Sequence, residues 1–232
     1  MNHCTLQSRY SSLRAVARPS HFRPVIYPVS YLYHFGFQRV NENSNVFATT
    51  TVSPFRNARL DQAFKVINQM MADGVIESYA LGGATGAFFY IEPDTTYDVD
   101  VFCVISGMEA NALVMLEPIY DYLRAKGYKP DAEMVIIEGI PVQFLPVFNS
   151  LNEEAVQNAA ELDYLGVPVR VMSPEHLMAI MLQTGRPKDY VRVARFLETD
   201  TFDRDTLRQM LERHDLAKAW GNVRLLERRL TK

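Results

Sequence analysis

From Asn57 onward the apolar residues fall into regular periods. Leu60, Ala63, Phe64, Ile67 and Met71 recur at helical spacing, and Asp73-Gly74 closes the segment as a helix stop does. Ser78 to Leu81 then reads as a short strand, broken by Gly82-Gly83. Ala84 to Tyr90, small and aromatic, suits a buried helix directly after the glycines, and Glu92-Pro93-Asp94 reads as a loop. Asp98 to Ile105 alternates and then turns wholly apolar, as a central strand does. An amphipathic helix follows over Ala110 to Lys126, ending at Gly127. Met134 to Ile137 and Val142 to Leu145 make two strands joined through Glu138-Gly139-Ile140-Pro141.

From Leu151 the pattern predicts helices. Ser173-Pro174-Glu175 carries a cap residue, a proline at the first helical position and an acid beside the positive end of the dipole. Gly185 ends that helix and Pro187 opens another to about Glu198. Asp203 caps a third, and a fourth covers about Ala217 to Leu230. The expected fold is α+β, with an α/β-like small mixed sheet, flanking helices and a C-terminal helical lobe. The expected division is an N-terminal extension over 1–56, a core over 57–150 and the lobe over 151–232. No internal repeat or low-complexity tract interrupts it.

Composition narrows the function classes. The 232 residues are 48% hydrophobic and 22% charged, enough apolar material for a real core. No run approaches the length of about 18 apolar residues that a membrane span needs, so no membrane partner is expected. The net charge of -3 gives no global pull toward a polyanion, so any nucleic-acid contact needs a local patch. That charge is uneven. Residues 1–56 hold six arginines (Arg9, Arg14, Arg18, Arg23, Arg39, Arg56), no lysine and one acid, Glu42. Prolines 19, 24 and 28 forbid an amphipathic targeting helix there, and the segment reads as a poorly ordered arm, with an RNA-binding arm as the alternative. Cys4 and Cys103 have no metal or disulfide spacing, and Cys103 sits in an apolar run as a core thiol. The natural setting is the reducing cytoplasm.

Three features between Leu81 and Ile105 carry chemistry. Gly82-Gly83 lies between a strand and a helix, where glycine backbone can approach a phosphate and helical N–H groups face it. Thr85 adds a hydroxyl, although a glycine pair alone is common in ordinary turns. Asp98 and Asp100 stand two apart on a strand, so both carboxylates project from one face while Val99 packs inward. Adjacent carboxylates repel unless a cation lies between them, and hard oxygen ligands suit Mg²⁺ or Mn²⁺. An isolated acid pair at a strand end is otherwise a solvated feature. Thr95-Thr96 either offer hydroxyls to phosphates or are turn residues. About fifteen residues separate the glycines from Asp98, enough for one short helix and a returning loop. Together these pieces describe a triphosphate cradle beside a metal site.

The run LGGATGAFFYIEPDTTYDVDVFCVI resembles the glycine-pair and DxD signature of the polymerase-beta-type nucleotidyltransferase superfamily. Within it the chain looks most like bacterial nucleotidyltransferases related to the AbiEii/AbiGii abortive-infection toxin family. The resemblance extends through PVQFLPVFNSLNEEAV and VPVRVMSPEHLMAIMLQTGRPKDYVRVARFLE, covering roughly residues 57–232. It implies transfer of a nucleotidyl group from an NTP to an acceptor hydroxyl on tRNA, a protein or a small molecule. Gly82, Gly83, Thr85 and Thr96 would hold the nucleotide, and Asp98 and Asp100 would ligate Mg²⁺. Lys188 and Asp189 match a Lys-Asp pair on a helix facing the cleft, where Asp189 would orient or deprotonate the acceptor. The family also implies a cognate antitoxin or regulator as partner. One position departs: the third acid of the family falls at Gln143, an amide that can bond a hydroxyl or nucleotide but cannot act as a base. Glu138, across the same hairpin, is the candidate substitute. A nucleotide-binding regulator without turnover is therefore the alternative reading.

The remaining candidates have plainer readings. His176 is a helix-start polar residue, His214 a helix-end cation suited to the dipole, and Trp220 a packing residue. Met178, Met181 and Leu182 form a core face, and Arg224, Arg228 and Arg229 form a solvated basic one.

Overall fold

A computed structural model describes residues 59–92, 96, 98–105, 116–131 and 133–230. The N-terminal arm, Cys4, Thr95 and the 110–115 part of the expected long helix lie outside the described residues. In chain order the described elements are α1 (Leu60–Ala72), β1 (Ser78–Leu81), α2 (Gly83–Ala87), β2 (Val99–Val104), α3 (Glu117–Ala125), β3 (Pro130–Asp131), β4 (Met134–Ile137), β5 (Ile140–Pro146), α4 (Ser150–Gln157), β6 (Ala160–Tyr164), β7 (Val167–Val171), α5 (Pro174–Thr184), α6 (Pro187–Leu197), α7 (Arg204–Arg213) and α8 (Ala217–Leu230).

The seven strands form one mixed sheet in the order β3-β4-β5-β2-β1-β7-β6. β2 runs antiparallel to β1 and parallel to β5, and β7 lies parallel to β1. The wholly apolar half of β2 follows from this central place: Val101, Phe102 and Cys103 are buried. Burial pushes the Cys103 thiol up to about 12, as expected of a core cysteine. α1 lays Ala63, Phe64, Ile67 and Met70 into the core. Met70 rather than Met71 completes that face: Met70 is fully buried and Met71 is 36% exposed.

The expected α+β architecture with a mixed sheet holds, with one correction. Helices do not begin directly at Leu151 and continue. After α4, the hairpin β6–β7 returns to the sheet and widens it beside β1. Its positive-φ turn at Leu165-Gly166 joins strands with clear alternation, in which Val167, Val169 and Val171 point inward. Arg170 anchors the addition, donating to the Tyr79 carbonyl at 3.0 Å and the Val156 carbonyl at 3.0 Å. The capping signals further on act as read. Ser173 accepts from the His176 amide, Gly185 turns left-handed at φ 68°, and Asp203 accepts from the Thr206 amide at 2.6 Å. Glu175 also reaches across to the Asp203 amide at 2.8 Å, tying the start of α5 to that of α7.

Candidate functional site

The head of β2 and the tail of β1 meet because the strands are antiparallel, with Leu81 opposite Val101. The next residue, Gly82, donates its amide to the Asp100 carbonyl at 3.0 Å. Gly83 then adopts φ 54°, in the left-handed region, and starts α2. A Cβ built on Gly83 would collide with the Asp100 carboxylate. Gly82 is constrained from the other side, where a Cβ would strike the Phe102 ring. The glycine pair is therefore what allows a carboxylate to stand directly against the turn. α2 is only five residues long, shorter than the helix expected over residues 84–90, since the chain breaks into turns from Phe88.

Two threonines hold Asp98. Thr85 is 2% exposed and donates to the Asp98 carbonyl at 3.1 Å. Thr96 donates to the same carbonyl and to Asp98 Oδ1, both at 3.2 Å. Thr85, expected to offer its hydroxyl to a phosphate, is buried and instead staples α2 to the start of β2. Burial and the neighbouring Asp98 charge push the Asp100 carboxyl up to about 6, against the pull of Arg186, Lys188 and Arg192. Two like charges crowded in partial burial are a site in want of a cation.

Those cations come from α6. β7 runs parallel to β1 and so delivers the chain to the same end of the sheet. α5 and the Gly185 turn then bring Arg186 to the N-cap of α6. Arg186, Lys188 and Arg192 all act electrostatically on Asp100. Asp189 is 1% exposed and held by Arg186, with Nε at 2.7 Å and the second nitrogen at 3.2 Å. Arg192 lies 3.7 Å from Oδ1, the oxygen that the second Arg186 nitrogen also contacts. Among the described residues the buried Arg192 Nε has no hydrogen-bond partner. Asp189 is thus a buried clamp that orients two guanidinium groups. It is not placed as a free base for an acceptor, as its sequence match suggested. Arg186 and Arg192 were missed by the sequence reading, although their spacing of three on either side of Asp189 was visible.

Gln143 pairs with Asp100 on the neighbouring parallel strand, and residues paired in this way project from one face. Its side chain therefore shares a sheet face with Asp100. Glu138 does not: it sits at φ 51° in the β4–β5 turn and accepts from the Tyr128 hydroxyl at 2.8 Å. Its place is beside Arg59, whose amide donates to the Glu138 carbonyl at 3.1 Å, so it is not the substitute acid. Glu133, which carried no sequence signal, accepts a hydrogen bond from the Gln143 amide at 3.2 Å.

The donor set fits a hard divalent cation: two carboxylates whose mutual repulsion a cation would relieve. Asp98 and Asp100 would hold it, with remaining oxygens from phosphates. Among the described residues there is no group of three or more His, Cys, Asp or Glu that would complete a protein-only cage.

His176 and His214 belong elsewhere. They meet Glu154 of α4, His214 Nε2 at 2.8 Å and His176 Nε2 at 3.5 Å, and Arg213 closes the group. His214 therefore serves this cluster beyond any dipole interaction. Trp220 packs against the core as expected, and Met178, Met181 and Leu182 are buried in it.

No helix among the described residues is long and apolar enough to cross a membrane. No family model matches the chain, and no curated protein does. Among solved structures it is similar to an antigenic nucleotidyltransferase-like protein from Paracoccidioides brasiliensis, at 15% identity and a TM-score of 0.40, over 70% of this chain and 94% of that one. It is also similar to ANT(2")-Ia in complex with adenylyl-2"-tobramycin, at 14% identity and a TM-score of 0.37, over 72% and 98%. A Megavirus polyadenylate synthase matches at 10% identity and a TM-score of 0.36, over 72% of this chain and 41% of that one.

Proposed function

We propose that the chain is a metal-dependent nucleotidyltransferase, moving an NMP from an NTP to an acceptor hydroxyl on RNA, a protein or a small molecule. The observation that carries this reading is the placement of the Asp100 carboxylate against the Gly83 turn, with Asp98 beside it. The glycines let the Asp100 carboxylate stand against the turn, which a Cβ at Gly83 would prevent. Asp98 and Asp100 would hold Mg²⁺ or Mn²⁺, which neutralises phosphate charge and aligns the triphosphate. Lys188 and the clamped Arg186 and Arg192 supply positive charge for the phosphates, and Gln143 can bond the nucleotide or the acceptor. The acceptor oxygen attacks the α-phosphorus, the bond to the bridging oxygen breaks, and pyrophosphate leaves. The sequence resemblance adds a finer reading: a toxin-type enzyme of the AbiEii/AbiGii kind, acting in the cytoplasm and held in check by a cognate antitoxin or regulator.

A second reading rests on Gln143. With an amide where a base is needed, the chain would bind Mg²⁺·NTP as a regulator without turnover. The test is incubation with Mg²⁺ or Mn²⁺ and α-labelled NTPs, offering total RNA and the chain itself as acceptors. Label transfer that disappears in Asp98→Ala supports the enzyme. Saturable binding without transfer supports the regulator. NTP at about 100 times its Kd should also add roughly 2.7 kcal/mol of stability, and no melting shift with any NTP and metal sinks both readings.

A further inference from the structure

We infer that Glu133 is the proton acceptor for the attacking hydroxyl, presented to the site by Gln143; this rests on the transferase reading above. An acceptor hydroxyl must lose its proton as its oxygen bonds to phosphorus. Asp98 and Asp100 are committed to the cation in that reading, and Asp189 is buried against two guanidinium groups. The Gln143 side chain shares a sheet face with Asp100, but its amide has no basic form.

One strand further along the sheet, β4 pairs with β5 in a register that puts Met134 opposite Gln143. Glu133 stands immediately before it, exposed, with its Oε2 accepting from Gln143 Nε2 at 3.2 Å. Asp100, Gln143 and Met134 are therefore neighbours across β2, β5 and β4, and the Gln143 hydrogen bond extends that row to Glu133 just before β4. The amide donates to one Glu133 oxygen, and among the described residues no hydrogen bond engages the other. This is the arrangement a carboxylate base uses: one oxygen fixed, one free. Exposure suits an acceptor that must enter from solvent.

The step balances simply. The acceptor O–H proton passes to Glu133, the acceptor oxygen bonds to the α-phosphorus, and pyrophosphate departs with the electron pair of the broken P–O bond. Glu133 then returns the proton to solvent.

The test uses the whole chain with Mg²⁺ and α-labelled NTPs, reading nucleotide binding by thermal shift and transfer by label. Glu133→Gln should keep the NTP-induced melting shift and lose about 10²- to 10⁴-fold in transfer rate, the span for removal of a general base. Glu133→Gln combined with Gln143→Glu moves the carboxylate one strand inward and should recover much of that loss. Transfer by Glu133→Gln at the wild-type rate overturns the assignment. So does a wild-type chain that binds Mg²⁺·NTP but labels no acceptor, and this leaves the binding site standing. A chain that binds no NTP removes the transferase reading itself.

Discussion

Two regions of this molecule gather charge in partial burial, and they do so in opposite ways. At the junction of α4, α5 and α7, Glu154 is bonded by Arg213 and His214, with His176 close by. Burial works to raise the Glu154 carboxyl, but those hydrogen bonds outweigh it and hold the group below its ordinary range. At the head of β2, burial and a second carboxylate push Asp100 up to about 6, and the nearby Arg186 is already bonded to Asp189. In the first cluster the carboxylate is satisfied by protein partners, and only the buried His176 Nε2, 3.5 Å from Glu154, lacks a hydrogen bond among the described residues. The second is stable only at a cost, which a divalent cation and a phosphate chain would remove. Electrostatic imbalance of this kind marks the second cluster as a candidate binding site.

The sharpest way to break that comparison is to remove each cluster's acid. Asp98→Ala or Asp100→Ala should reduce nucleotidyl transfer by at least about 10³-fold, since the metal's charge stabilisation is worth several kcal/mol. Glu154→Ala should leave the transfer rate of the folded protein within about twofold. An α-labelled NTP assay on both decides it, and a strong loss in Glu154→Ala would erase the distinction.

Gly83→Ala should abolish the NTP-induced melting shift, because a Cβ there meets the Asp100 carboxylate and the residue's positive φ is strained, at about 1–2 kcal/mol. Retained NTP affinity in this variant would mean that the phosphates do not use the turn. In urea unfolding the order reverses. Glu154→Ala should cost about 1–3 kcal/mol, somewhat less than breaking a fully buried pair, because it strands Arg213 and two buried imidazoles.

Acid should act on the two regions with opposite sign. Asp100 has a folded pKa of about 6, above its ordinary value of 3.8. Its charged form therefore destabilises the metal-free fold above about pH 6, and this penalty fades as pH falls toward 4. Burial lowers His176 to about 4 from 6.5, so its neutral form is favoured by folding and stability is lost as pH falls between those values. Asp100→Asn in EDTA should stabilise by about 1–2 kcal/mol at pH 8 and by nothing near pH 4. His176→Gln should flatten the loss below pH 6.5. Urea midpoints at pH 4.5, 6 and 8 measure both, and an Asp100→Asn variant no more stable than wild type at pH 8 would sink the repulsion argument.

Much of the site was legible because its parts lie close in the chain. Gly82, Gly83, Asp98 and Asp100 span few residues, and strand and turn periodicity alone predict that they meet. The β6–β7 hairpin was equally readable from the alternation of Val167, Val169 and Val171 after Gly166. It was passed over because strong helix signals surround it. Thr85 and Asp189 were singled out in the sequence, but their protein partners were not: a hydroxyl or carboxylate has several uses, and only burial and partners distinguish them. Glu133 was invisible, since an acid in a turn looks like solvated surface until its neighbour across the sheet is known.

Local pattern in the amino-acid sequence was enough to establish a mixed α+β core, its central apolar strand and a same-facing acid pair beside a glycine turn. These depend on interactions within one or two elements. The tertiary structure alone decided which cations approach Asp100, that Asp189 is buried against two arginines, and that Gln143 joins Asp100 to Glu133. Such relations depend on strand order and helix placement, and distances between residues far apart in the chain are set only when the sheet is assembled.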